Sequence, residues 1–457
     1  MTARHMPTSA PHAPAAPLRP SLGTLILYAL GQLGWSLASY GVGNLLIYFY
    51  MPPEQGQPLF PSFLYQGPVL GVLTLIGVLS AGGRVLDALV DPVVANWSDR
   101  KESVWGKRRW FMLWGALPFV LFGVLVFHPL HASENASNFI WVALMIGLYY
   151  FFFAFYVIPY TALMAELGHT PQDRMLISTL TSVTWAVGFI VGNSVYAVQG
   201  VFEQMGLSPL EAFHRSLWVL GALALFFLLL PALFLRERRY ARQLPSDHHM
   251  GKALRVVFSN PNFRTYLWSD LMYWLALTFV QLGAVYYTTL LLGLDKSMAF
   301  VFSLIGFVSS FLFYWPLNVW ARRVGKKRLL LIAFGVFAAE FVFIAFAGSI
   351  PLPKTWLLYG SALAVSFPLA TFGVMPNALI GDEVEKEEQR SGQQLSGMFY
   401  GVRAFVMKVG ISLANLIFPS LLLFGKSSER PLGVQLTAWA AALFCFVGWR
   451  VFARYRE

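Results

Sequence analysis

Two carboxylates and a guanidinium sit inside an otherwise apolar run, at Arg84, Asp87 and Asp91, followed by Pro92. The two aspartates are four residues apart and Arg84 precedes Asp87 by three, so on a helix all three share one face. Two adjacent carboxylates supply hard oxygen ligands for a small cation, or hold a proton between them. Arg84 partly neutralises the pair, and Pro92 is expected to loosen the helix and free backbone carbonyls as further ligands. A fourth charge, Lys408, stands deep in the apolar run Ala404-Phe405-Val406-Met407-Lys408-Val409-Gly410-Ile411. No acid shares that segment, so its partner must come from another helix, and Asp87 or Asp91 is the natural candidate. Charges in hydrocarbon cost from roughly 3 to above 10 kcal/mol, so such residues usually line a protein cavity on an ion or substrate path. Arg403, one turn away, reads instead as a residue snorkelling to the interface.

The elements that must position these charges are membrane spans. Of 457 residues, 57% are hydrophobic and 12% charged, about half the charge fraction of a soluble domain. Apolar stretches run at about 22–50, 65–97, 110–129, 138–165, 175–199 and 212–235. A second set runs at about 263–293, 297–321, 328–349, 355–380, 391–425 and 432–452. These lengths suit bilayer-crossing helices, some of them tilted. The pattern predicts an all-α membrane protein of twelve transmembrane helices in two six-helix halves. Residues 1–20, with five prolines, read as a disordered cytoplasmic tail, 21–235 as the first half, 236–262 as a cytoplasmic linker and 263–457 as the second half. No cleavable signal peptide is expected; the first span would serve as the targeting signal.

Charge sets the orientation. Of the 33 Lys and Arg, Arg84, Arg403 and Lys408 lie within spans, and only Arg215, Lys296, Lys354, Lys426 and Arg430 fall in the loops of one side. The remainder, both tails included, lie on the other side, which is therefore cytoplasmic. This distribution explains the net charge of +11 without nucleic acid. The loop from Ser98 to Arg109 and the loop from Arg322 to Arg328 are both basic and glycine-containing, and each follows the second span of its half. Matching halves suggest a transporter with its site at their interface. The acidic stretch Asp382 to Glu388, on the basic side, is expected to pair with those loops and latch the cytoplasmic side. That gate would comprise Asp99, Arg100, Arg108, Arg109, Asp382, Glu385 and Glu388. Span 4 is dense in aromatics from Tyr149 to Tyr156. The histidines are scattered, no metal-ligand spacing or phosphate loop occurs, and the single cysteine, Cys445, excludes an internal disulfide. An enzyme is not expected, nor any cofactor beyond a coupling ion.

These residues resemble the glycoside–pentoside–hexuronide:cation symporter family, the melibiose-permease branch of the major facilitator superfamily, over nearly the whole chain from about Tyr28. Span 1 reads Tyr28-Ala29-Leu30-Gly31-Gln32-Leu33-Gly34 against the family's Y-G-x-G-D-x-G, with Tyr48-Phe49-Tyr50 at its end. Span 2 supplies Arg84, Asp87, Asp91 and Pro92, then Ser98-Asp99-Arg100 and Trp105-Gly106-Lys107-Arg108-Arg109. After span 4, Ile158-Pro159-Tyr160-Thr161-Ala162-Leu163 and Glu166 match I/V-P-Y-x-A-L-x-x-E. Around span 11, Asp382, Glu388, Gly392, Gly397, Phe399-Tyr400-Gly401 and Lys408 match D-x-V-D-Y-x-E…G…G-L-F-Y-G…K.

The resemblance implies that Asp87 and Asp91 bind Na⁺, H⁺ or Li⁺ and that Lys408, with Arg84, couples to that site. It implies a substrate cavity at Gln32, Val157, Tyr160, Thr161, Thr181 and Trp185. Sugar-transporting members carry an acid where this chain has Gln32, another where it has Val157, and often an arginine where Thr181 falls. Three charged anchors for sugar hydroxyls are thus neutral here. The family's animal relatives include sodium-dependent lysophospholipid symporters that keep the span-2 acids and span-11 lysine. Three readings therefore stand: a Na⁺- or H⁺-coupled symporter of a sugar- or glycoside-like or other small organic solute, a cation-dependent carrier of a lysolipid or other amphipath, and a non-transporting membrane scaffold or assembly factor. The expected setting is a monomer in the plasma or inner membrane among lipids, with both termini cytoplasmic.

Overall fold

Twelve long helices run through the computed structural model, which describes residues 18–54, 59–101, 103–241, 259–391 and 396–456. They are α1 (Leu22–Tyr50), α2 (Leu75–Arg100), α3 (Lys107–Leu125), α4 (Ala136–Leu167), α5 (Gln172–Gln204) and α6 (Pro209–Phe234). The second set is α7 (Pro261–Leu291), α8 (Met298–Val324), α9 (Lys326–Phe346), α10 (Lys354–Ser391), α11 (Ser396–Leu422) and α12 (Leu432–Phe452). All but α2 are long and apolar enough to cross a membrane. Helix α2 has the length, 26 residues, but interrupts its apolar run with Arg84, Asp87 and Asp91. Much of the expected tail (residues 1–17) and linker (242–258) lies outside the described residues.

Local sequence sets the helix starts. Thr170 with Asp173, and Ser208 with Glu211, form reciprocal capping boxes that satisfy orphan N–H groups at the entries of α5 and α6. Asn260 caps α7 ahead of Pro261, a residue suited to the first helical turn. Two boundaries differ from those read in the sequence. Span 2 begins at Leu75 and not near 65, because Pro68-Val69 and Leu73-Thr74 form a small antiparallel hairpin. Its turn places Leu70 (φ 51°) and Gly71 (φ 88°) in the left-handed region, which a helix cannot accommodate. Span 10 does not stop near 380: Glu, Lys and Gln are good helix formers, and α10 carries the acidic stretch as helix to Ser391. Helix α2 also continues through Pro92 without a break.

The packing repeats. In the first half α1 packs on α5 and α6, α2 on α4, and α3 on α4 and α6. In the second half α7 packs on α11 and α12, α8 on α10, and α9 on α10 and α12, the same pattern six helices on. Both leading helices carry a π-helical turn in their later part, Gly41–Leu45 within α1 and Tyr287–Leu291 at the end of α7. Small residues bring backbones together: a Cβ at Gly34 would stand 2.6 Å from the Leu228 backbone nitrogen, and one at Gly188 would stand 2.6 Å from the Leu33 carbonyl oxygen. The halves meet mainly along α2 and α11, and more sparingly along α5 and α8.

On the face away from the described termini the halves are tied together. The Tyr286 hydroxyl of α7 donates to the Met51 carbonyl after α1 (2.7 Å). Lys426, between α11 and α12, pairs with Glu54 (2.9 Å) and donates to Gln66 (2.8 Å). Lys296, between α7 and α8, pairs with Glu203 at the end of α5 (2.6 Å). On the termini face, the pairs Arg19–Asp173, Arg108–Asp99, Arg108–Glu166 and Lys326–Asp382 each lie within one half.

Candidate cation and substrate site

The α2–α11 seam is where the buried charges meet. The Lys408 amine stands 2.9 Å from Asp87 Oδ2 and also bonds Asp91 Oδ2, so one ammonium spans both carboxylates across the two halves. The Asp87 side chain is fully enclosed, whereas those of Asp91 (24% exposed) and Lys408 (19%) retain access to water. Among the described residues, Asp87 Oδ1 and Asp91 Oδ1 are buried without a hydrogen-bond partner. Each is an acceptor still available to a small cation or a proton. Just beyond, Ser412 of α11 donates to the Ala81 carbonyl of α2 (3.2 Å), and Gly77 lets Pro419 and the Leu416 carbonyl approach. Arg84 does not join the ammonium–carboxylate cluster directly. Its guanidinium lies over the Tyr150 ring of α4, 5.3 Å from the centroid, where the aromatic face supplies compensation for the charge.

Arg403 corrects the sequence reading. It does not snorkel: Nε donates to Asp270 Oδ2 of α7 (3.1 Å) and Nη1 to Asn377 Oδ1 of α10 (3.0 Å). The Asp270 side chain is 1% exposed. A cation reaching for lipid headgroups would not be tied to a buried acid in the middle of the bundle. Asp270 was the acid that sequence reasoning missed, and its isolation in the apolar span after Asn260 was the available signal.

At the termini face Arg108 is a hub. Its Nε donates to Glu166 of α4 (3.0 Å), Nη1 to Ser98 (2.6 Å) and Nη2 to Asp99, the last two at the end of α2. Glu237, which sequence reasoning passed over, accepts from the backbone N–H groups of Arg108 (3.0 Å) and Arg109 (2.8 Å) and so caps α3. Arg109 donates to the Ala232 carbonyl (2.9 Å), and Arg100 is exposed. In the second half Lys326 pairs with Asp382 (2.5 Å), the counterpart of the Lys107–Glu166 contact (3.8 Å). Gly106 (φ 111°) and Gly325 (φ 91°) make the two corresponding turns. Glu385 accepts from Gln389 on its own helix (3.3 Å), and the Glu388 side chain lies outside the described residues. Asp99, Arg108, Arg109, Asp382 and Glu385 thus each make a contact within their own half.

The expected cavity residues divide. Tyr160 is fully buried; its hydroxyl donates to the Tyr28 carbonyl (2.7 Å) and its ring stacks on Tyr28 at 4.4 Å. It packs between α1 and α4, with its polar end bonded to backbone. Gln32 and Val157 are likewise enclosed, and Thr181 spends its hydroxyl on the Ile177 carbonyl (2.9 Å). Thr161 and Trp185 are exposed, Trp185 stacking on Phe189 and meeting Phe307 of α8 across the halves.

Comparison with known proteins places this geometry. Residues 27–445 match the family model described as MFS/sugar transport protein. The chain belongs to this family of transporters. Among curated relatives, it is 24% identical over 441 residues to the putative glycoside/cation symporter YagG of Escherichia coli, covering 92% of this chain and 87% of that one. It is 20% identical over 407 residues to the isoprimeverose transporter of Lactiplantibacillus pentosus, covering 85% and 78%. Among solved structures, the nucleoside transporter NupG aligns with a TM-score of 0.65 at 14% identity, covering 95% of this chain and all of that one. A bacterial homologue of the lysosomal transporter Spinster aligns at 0.64 and 15% identity, covering 96% and 99%. The fold is that of the major facilitators, and the family's members carry solutes across membranes.

Proposed function

We propose that the chain is a cation-coupled symporter of a glycoside-like solute, with Asp87 and Asp91 as the coupling site and Lys408 as its internal competitor. The observation that carries this reading is the single ammonium spanning two carboxylates across the seam between the halves. A Na⁺ or H⁺ arriving at Asp91, the more accessible of the pair, would displace the amine and take the free Oδ1 acceptors. Loss of the ammonium bridge frees α11 from α2, so occupancy of the site changes the energetics of the moving interface. Such a carrier gains about 2.3 kcal/mol per charge per 100 mV of membrane potential in addition to the ion gradient. The relatives' names, glycoside/cation symporter and isoprimeverose transporter, support the substrate class. The positive-inside bias supports a multi-pass protein of the cell membrane with cytoplasmic termini.

The test is uptake of radiolabelled methyl glycosides by proteoliposomes of the purified protein under an imposed Na⁺ or H⁺ gradient. Gradient-driven accumulation of one glycoside, abolished by an ionophore, is expected. Cation-driven uptake of lysophosphatidylcholine with no glycoside transported would replace the substrate class. No transport of any probe would favour a scaffold.

A further inference from the structure

Arg403, Asp270 and Asn377 join α11, α7 and α10 on the termini side of the Lys408 seam, and the coupling reading does not use them. Helix geometry shows where they look. At about 100° per residue, Lys408 and Arg403 lie about 140° apart around α11. Lys408 faces α2 and Arg403 faces α7, and between them lie Tyr400 and Ala404, both exposed. The cluster therefore has exposed neighbours on the side of α11 between its α2 and α7 contacts. Asn377 is itself exposed, and the Tyr400 hydroxyl donates to its carbonyl (3.4 Å).

The hydrogen-bond inventory gives the ligand chemistry. Arg403 has five N–H groups. Three are spent, on Asp270 Oδ2 (3.1 Å), Asp270 Oδ1 (3.5 Å) and Asn377 Oδ1 (3.0 Å). Among the described residues two remain to donate, and the Asn377 amide Nδ2 meets no acceptor there. The guanidinium charge is already matched by a carboxylate 1% exposed, so an incoming carboxylate would have to compete with Asp270 for it. An uncharged hydroxyl oxygen accepts the spare N–H groups with no such competition. A paired arginine offering fixed, planar donors suits vicinal hydroxyls.

We propose that the Arg403–Asp270–Asn377 cluster is the second-half wall of the substrate site and binds hydroxyl groups of a neutral, polyhydroxylated solute. This rests on the glycoside reading above, and it answers the loss of charged anchors in the first half. Where Gln32 and Val157 are enclosed and Thr181 is bonded to its own helix, polar recognition has moved across the cavity to α10 and α11.

Proteoliposomes of the full chain would be assayed with methyl β-xyloside, methyl β-glucoside, methyl α-galactoside and methyl β-glucuronide, then with deoxy analogues of whichever wild-type protein transports. Asn377→Ala, at an exposed position that should not disturb folding, and Arg403→Lys are each expected to raise the half-saturation concentration about ten-fold or more. The cation half-saturation should stay unchanged. For one deoxy analogue the penalty should vanish, identifying the hydroxyl held. If wild-type protein transports none of the four, the glycoside reading itself fails. If it transports one and Asn377→Ala keeps half-saturation within about two-fold for every analogue, the wall assignment is overturned and the glycoside reading stands. A clear preference for the glucuronide would overturn the neutral-solute class.

Discussion

Removing the Lys408 amine should make the cation site tighter while destroying its use. In Lys408→Ala, Asp87 stays fully enclosed and Asp91 largely so, and the nearest remaining base, Arg84, is committed to the Tyr150 ring. Breaking a buried pair by deleting one partner costs about 3–5 kcal/mol. The low end applies here, because the Lys408 and Asp91 side chains keep 19% and 24% exposure. A cation entering the variant no longer displaces the amine and recovers that energy. About 3 kcal/mol corresponds to roughly two decades of affinity, so an increase of about 10- to 100-fold is expected. Thermal unfolding of detergent-purified protein, titrated with NaCl at constant ionic strength and separately with pH, measures it. The variant should unfold at lower temperature than wild type without the coupling cation and respond at far lower cation concentration. Proteoliposomes carrying it should fail to accumulate substrate. Wild-type cation half-saturation in Lys408→Ala would refute the competition between amine and cation.

Glu203→Gln and Lys426→Ala each remove one ion pair that ties the halves on the far face. Each should raise modification of cysteines introduced in the outer half of the cavity, and unchanged labelling would show that these pairs do not hold the face closed. Gly34→Ala pushes a methyl against the Leu228 backbone nitrogen and should destabilise by about 1–3 kcal/mol, read as a lowered unfolding temperature. His128, in the loop after α3, donates from Nδ1 to the Val124 carbonyl (3.0 Å) and accepts at Nε2 from Trp218 (3.2 Å). Burial holds its imidazole below the ordinary histidine range, against a smaller opposing contribution from the Val124 carbonyl. The unfolded chain then binds the proton more readily, so this contribution to stability is present above about pH 6.5 and is lost as pH falls below it. His128→Asn should flatten the acid limb of the unfolding-temperature profile.

The charged seam was legible because Asp87, Asp91 and Lys408 interrupt apolar runs, and each lacked a sufficient partner on its own helix. Electrostatics alone demanded that they meet. Arg403 was misread because its acid, Asp270, lies in a different span and at no fixed spacing from it. The far-face pairs Glu203–Lys296 and Glu54–Lys426 were invisible for a related reason. They join loop and helix-end positions more than ninety and more than three hundred residues apart, and only the docking of the halves brings them together. Helix boundaries were read from hydropathy, which reports the bilayer and not the helix. Hydropathy therefore missed the helical acidic end of α10, which needs no apolar surface, and overran the hairpin at Pro68–Thr74, which is apolar enough to pass for span. The bond from the Tyr160 hydroxyl to the Tyr28 carbonyl was not legible either, because a motif fixes neither the direction of a side chain nor what its hydroxyl binds.

The most direct test of the central claim is cation flux driven by substrate. Proteoliposomes without an imposed gradient would receive a transported glycoside on the outside, while a Na⁺-selective or pH-sensitive reporter follows the lumen. If Asp87 and Asp91 are the coupling site, wild-type protein should carry the cation inward with the glycoside. Asp87→Asn and Asp91→Asn should each abolish the cation signal while still exchanging labelled for unlabelled glycoside. Cation influx in both variants with the wild-type ratio to substrate would contradict the account.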